Sequence, residues 1–174
     1  MPPLDIDKTL NILREFARKR RKKVELILVG GLALGYYGLK GRHTLDIDAE
    51  VAKVAEPLIN FLKLKRLPAD IGENFGRWST IDMPTGYRRR AKVVLKDKYL
   101  VIKVLHPVDF IIAKLRRASE EDFQDASFVA RKNNISTSQI RKSAESAVKR
   151  SPKDTSLFIF KKTVEIFLKQ MRGK

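Results

Sequence analysis

Leu10, Leu13, Phe16 and Ala17 recur at helical spacing, which predicts an amphipathic helix over 5–20 capped by Asp5 or Asp7. Val24-Glu25-Leu26-Ile27-Leu28-Val29 is a short β-branched run and predicts a buried strand. Gly30-Gly31 interrupts it, and residues 32–39 read as a helix. Leu45 to Val51 alternates acids with apolar residues, the pattern of a half-buried strand. A helix is expected over 57–67, with Pro57 in its first turn. Residues 71–77 carry no clear period, and 78–83 read as a strand stopped by Pro84. Residues 91–95 and 99–105 flank Lys96-Asp97-Lys98 and predict a hairpin. Beyond His106-Pro107 the period is helical, over 107–117, 120–132, 136–149 and 154–172, with Ser119, Ser136 and Asp154 as caps. The chain therefore reads as α+β: a mixed sheet flanked by helices in 1–105, then a helical bundle in 106–174 packed on that core. No internal repeat or low-complexity linker interrupts it.

Composition narrows the chemistry. In 174 residues there are 37 Lys and Arg against 20 Asp and Glu, a net charge of +17, with two His and no Cys. Without cysteine there is no disulfide scaffold, thiolate zinc site or cysteine nucleophile. His43 and His106 alone leave little room for a histidine metal site or a Ser-His-Asp triad. No apolar run is long enough to span a bilayer, and the first residues lack the basic and apolar regions of a secretion signal. A cytoplasmic protein without membrane partners is the expectation. The charge favours a polyanionic partner. Arg18-Lys19-Arg20-Arg21-Lys22-Lys23 is six consecutive cations, more than a helix end needs to complement its dipole. That run, and Tyr87 followed by Arg88, Arg89 and Arg90, are candidate nucleic-acid contacts.

Against this background one strand is acidic. Asp46 and Asp48 lie two apart, so a strand presents both on one face, where they repel. A divalent cation with substrate phosphates would relieve that repulsion. A solvated strand face is the plain alternative. Gly30-Gly31, placed where a strand feeds a helix, lets backbone N–H groups approach a phosphate closely.

Gly30-Gly31, ten residues, then Arg42-His43-Thr44-Leu45-Asp46-Ile47-Asp48 resembles the first motif of minimal nucleotidyltransferases of the polymerase-β-like superfamily. The nearest pattern is that of the AbiEii toxin-type branch and related nucleotidyltransferase-like proteins, although Gly31 stands where the toxins usually carry Ser. Ile81-Asp82-Met83-Pro84 is similar to the family's later segment with a third carboxylate. Pro107-Val108-Asp109, then Lys114, Asp122 and Asp125, is similar to its helical Lys and Asp segment. The family often has Arg five residues after that Lys, where this chain has Ser119, with Arg116 and Arg117 just before.

The resemblance implies that Asp46, Asp48 and Asp82 are catalytic and hold Mg²⁺ or Mn²⁺, with Asp70, Glu73 and Asp97 as competitors for the third place. It implies that Gly30 and Gly31 cradle triphosphate and that Lys114 contacts the nucleotide. Arg42 either meets phosphate or pairs with Asp46, and Thr44 sits beside the nucleotide in a hydrogen-bonding role. Asp122 and Asp125 either orient Lys114 or Arg116 or charge the first turn of their helix. His43 reads as structural, Trp78 and the phenylalanines of 158–167 as core. The expected activity is NMP transfer from an NTP to an acceptor hydroxyl, with RNA, and tRNA in a toxin-like role, as acceptor. A cognate antitoxin or other protein is a further partner that the resemblance suggests. The rivals are a protein AMP-transferase and a catalytically weak relative that binds nucleic acid or a partner.

Overall fold

The computed structural model describes residues 4, 6–39 and 44–173, and its contacts divide the chain into two units. The first comprises Met1–Asn74 and Ala91–Val104. Its helices are α1 (Ile6–Arg20), α2 (Gly30–Tyr36) and α3 (Ala55–Leu64), and its strands are β1 (Val24–Leu28), β2 (Ile47–Val51), β3 (Ala69–Gly72), β4 (Lys92–Lys96) and β5 (Leu100–Val104). The strands form one open mixed sheet in the order β3-β2-β1-β5-β4. β1 runs antiparallel to β2 and parallel to β5; β2 and β3 are parallel, and β4 and β5 form the expected hairpin.

Register gives this sheet two unlike faces. Leu26 pairs with Val51 and Ile102, and Leu28 with Ala49 and Val104, so these side chains share one face with Ile47 and Ile71 and are all buried. α1 packs on β5 and α3 on β3, with Leu13, Phe16 and Ala17 of α1 and Leu58 and Leu62 of α3 buried, and Phe16 and Phe61 5.3 Å apart. The other face carries Glu25, Asp48, Glu50, Asp70 and Lys103. The alternation in residues 45–51 is thus the alternation of these faces.

The second unit comprises Phe75–Arg90 and Leu105–Lys174. Segment 75–90, placed with the first domain from sequence, is grouped here with the C-terminal helices. It holds a 3₁₀ turn (Phe75–Arg77) and α4 (Tyr87–Arg90), followed by α5 (Pro107–Leu115), α6 (Glu120–Lys132), α7 (Thr137–Val148) and α8 (Thr155–Arg172). α5 is central, in contact with α6, α7 and α8, and buries Phe110, Ile111, Ile112 and Leu115. The caps lie where sequence places them. Ser119 with Asp122 and Ser136 with Gln139 form capping boxes, and Asp154 accepts from Leu157 N–H. His106 adds a cap through Nδ1, which accepts from Val108 N–H at 3.3 Å.

One predicted element fails and one goes unpredicted. Residues 78–83 are not a strand. Pro84 offers no N–H, and the Arg116 guanidinium donates to the carbonyls of Phe75, Ser79 and Ile81 at 2.9, 3.2 and 2.6 Å, binding the segment as a loop. Over 69–72, where the sequence pattern predicts no element, β3 forms at the edge of the sheet. Asp70 and Gly72 are poor strand formers, and pairing with β2 holds them extended. Among the described residues, no helix is long and apolar enough to cross a membrane.

Candidate active site

In the first unit the two glycines and the acidic strand interlock. Gly30 follows the end of β1 with φ +65, in the left-handed region that disfavours a side chain. A Cβ there would overlap the carboxylate of Asp48, whose Cγ would lie at 2.8 Å. A Cβ on Gly31 would meet Thr44 Cβ and Oγ1, each at 2.7 Å. The glycines therefore let Asp48 and Thr44 lie directly on the backbone at the start of α2. Val29 N–H donates to Asp48 O at 2.9 Å and locks the same juncture. The motif's spacing thus has a physical cause, since the residues that open α2 and those at and entering β2 share one space.

Asp46 precedes β2, in a bend, where the alternation predicts strand. The Thr44 hydroxyl donates to Asp46 O at 3.1 Å, and Ile47 N–H donates to Pro68 O at 3.0 Å as β2 begins. Both aspartates are half-buried. The parallel ladder sets Asp70 of β3 in register with Asp48, with side chains on the same sheet face. Glu50, two residues on, is only 4% exposed. Asp70 is the acid whose placement the sequence left undecided. Parallel pairing with β2 has no local signal. Arg42 and His43 lie outside the described residues, as does Asp5.

The remaining candidates belong to the second unit. Asp82 N–H donates to the Ser151 hydroxyl at 2.8 Å, and its half-exposed carboxylate lies 3.7 Å from Arg150. Lys114 is buried, 7% exposed, and its Nζ meets Asp122 Oδ1 at 3.0 Å and Asp125 Oδ2 at 2.8 Å. Both aspartates are 1% exposed. Burial pushes the Asp122 carboxyl up, but Lys114, the Ser119 hydroxyl and Arg117 outweigh it and hold the group below its ordinary value. The structure therefore brings Lys114, Asp122 and Asp125 together as one charge cluster between α5 and α6. Asp122 also closes the Ser119 capping box.

Arg116 serves the fold of segment 75–81. It stacks on Phe75 at 5.8 Å as well as gathering three carbonyls, and burial pushes its guanidinium down to about 10. Arg90, expected in a nucleic-acid patch, is instead engaged with the fully buried Asp109 through two bonds of 2.9 and 2.8 Å. Arg88 lies over the Tyr87 ring at 5.2 Å, Tyr87 meets Phe75 edge-on, and Trp78 tilts against Phe75. Arg89 is exposed. Among the described residues no three His, Asp or Glu converge as a metal cluster.

A profile of nucleotidyltransferases of unknown function, DUF6036, matches residues 5–171. The chain belongs to this family. No curated protein matches it. The family match covers both units. The nucleotidyltransferase assignment and the mixed α+β architecture agree with the expectations from sequence.

Proposed function

We propose that this nucleotidyltransferase moves a nucleoside monophosphate from an NTP to an acceptor hydroxyl, releasing pyrophosphate, and that the acceptor is RNA. The observation that supports it most is the seating of the Asp48 carboxylate on Gly30, a cradle that any Cβ would fill. That space suits a carboxylate aimed at a metal-bound triphosphate, and Asp46 and Asp48 are the residues to hold Mg²⁺ or Mn²⁺. When bound, such ions lower the pKa of an acceptor hydroxyl and offset triphosphate charge. Gly30 and Gly31, lacking Cβ atoms, bring the backbone at the start of α2 against Asp48 and Thr44, so a phosphate held by ions on the acids would lie close to that backbone. Thr44 fixes the bend that presents Asp46. Asp70, in register with Asp48, is the third acid that this sheet itself supplies, and Asp82 is the third acid of the motif. Lys114, enclosed by two carboxylates, holds α5 to α6, and its contact with the nucleotide remains part of this proposal. Resemblance to the toxin-type branch points to tRNA, and the +17 charge to RNA in general.

The test is incubation of the protein with each of the four NTPs, radiolabelled at the α-phosphate, with total tRNA and alone. Label on RNA with one or more nucleotides is expected, lost on Asp46→Ala and on Asp48→Ala. Asp70→Asn and Asp82→Asn, assayed side by side, identify the third acid by which one abolishes transfer. Label on the protein alone transfers the proposal to a protein acceptor. No label on either overturns it.

A further inference from the structure

The end of the sheet opposite Gly30 has a character of its own. β1 starts where the basic run ends and stops at the glycines, so its five residues separate the two by about 16 Å. Val24 N–H donates to Tyr99 O at 2.8 Å, which brings the end of α1 beside the β4–β5 turn. Arg14 and Arg18, one helical turn apart, face that turn across a cleft of about 150 Å³ whose far wall is Lys98 and Tyr99. The one acid in the cleft, Asp97, is bound by Arg14 at 2.7 Å. Arg18, Arg21, Lys22 and Lys98 make no ion pair with a described acid.

Arg21 adds an independent sign. It ends α1 with φ 51, in the left-handed conformation that glycine adopts freely at helix ends. The chain keeps a cation at a position where glycine would relieve strain. Tyr99 supplies an aromatic wall, with Lys98 Nζ 5.1 Å from its ring centroid. None of the exposed large apolar side chains falls within 14–23 or 96–99, so this end has no wedge for a lipid surface.

We propose that this pole of the first unit, built from Arg14, Arg18, Arg21, Lys22, Lys98 and Tyr99, binds the phosphodiester backbone of single-stranded nucleic acid, with a base against Tyr99. Cations track phosphates while an aromatic face accepts any base. The pole deepens the RNA-acceptor reading and makes the acceptor a polymer, since one nucleotide cannot reach both ends of β1. It anchors the acceptor's backbone at one end of β1 while the reacting hydroxyl extends to the acids at the other.

The test is fluorescence anisotropy with a labelled single-stranded RNA of about 20 nucleotides, for the full chain and for Asp48→Ala. Both should bind alike, with log K falling on log salt with a slope of about −3 for four phosphate contacts. The combined variant Arg18→Ala, Arg21→Gly, Lys22→Ala and Lys98→Ala should lose at least about 10-fold in affinity at about 0.1 M salt, with a flatter slope. Arg21→Gly alone should weaken binding a few-fold while leaving the melting temperature unchanged or raised, a result that misfolding cannot mimic. Equal RNA affinity of the full chain and the combined variant overturns the proposal, as does binding to anionic vesicles with none to RNA. Pole-dependent binding without transfer of any NTP would sink the catalytic reading and leave the pole standing.

Discussion

Two groups of carboxylates in this protein meet opposite fates. Between α5 and α6, Asp122 and Asp125 are sealed from water around Lys114, with Ser119 and Arg117 at the rim. On β2 and β3, Asp48 and Asp70 stay half-buried in adjacent register, and one of them lies on a bare glycine backbone. The first arrangement makes charge serve cohesion, because each buried ion has a partner within hydrogen-bond reach. The second places two carboxylates in adjacent register on one sheet face, where like charges repel. The same residue type is thus enclosed in one place and left half-buried in another by its surroundings.

The contrast is broken most severely at Lys114. Lys114→Met should leave two buried carboxylates facing each other and lower unfolding free energy by about 3–5 kcal/mol, read from urea denaturation. The same cluster sets an acid limit. Asp122 is held below its ordinary value of 3.8, so its contribution is complete above that value and is lost as pH falls through its lower folded value. Urea midpoints measured from about pH 6 down to about pH 3 should fall steeply at the acid end, and Asp122→Asn should flatten that limb while lowering the neutral plateau. A variant whose acid limb matches the parent's would remove Asp122 from the explanation.

Gly30→Ala comes next. A left-handed backbone and an overlap with Asp48 should together cost about 2–3 kcal/mol and abolish nucleotide transfer. Combining it with Asp48→Ala should restore part of the stability and none of the transfer, by thermal melts and the radiolabel assay. The smallest effect has the opposite sign. Asp70→Asn removes a like charge beside Asp48 and should leave stability unchanged or raise it by up to about 1 kcal/mol. A loss as large as that of Lys114→Met would mean that the acidic face is held together by its charges.

Much of this is legible in the sequence. α6, α7 and α8 follow their periods and caps to within a residue, because Ser119, Ser136 and Asp154 satisfy orphan N–H groups locally. β2 is readable from alternation alone, although Asp46 falls in the bend before it, where Thr44 rather than a ladder holds the backbone. β3 was unreadable because its extended state is imposed by β2. Residues 78–83 look like a strand, yet Arg116, more than thirty residues away, takes the carbonyls a ladder would need. Arg90 illustrates the same point on the surface. Charge counts it with Arg88 and Arg89, but Asp109, which lies 19 positions on, has already engaged it.

The sequence by itself determined the glycine pair, the aspartates and the spacing between them, together with the helical periods and the excess of cations. These are local or compositional properties, and the family match agrees with them. Only the tertiary structure decided that Asp48 rests on Gly30, that Asp70 stands beside it, and that Lys114 is enclosed by Asp122 and Asp125. Contacts of that kind depend on which strand pairs with which and on which helix face is buried. Those choices are made by the summed burial of many apolar side chains, and no short stretch of sequence contains them.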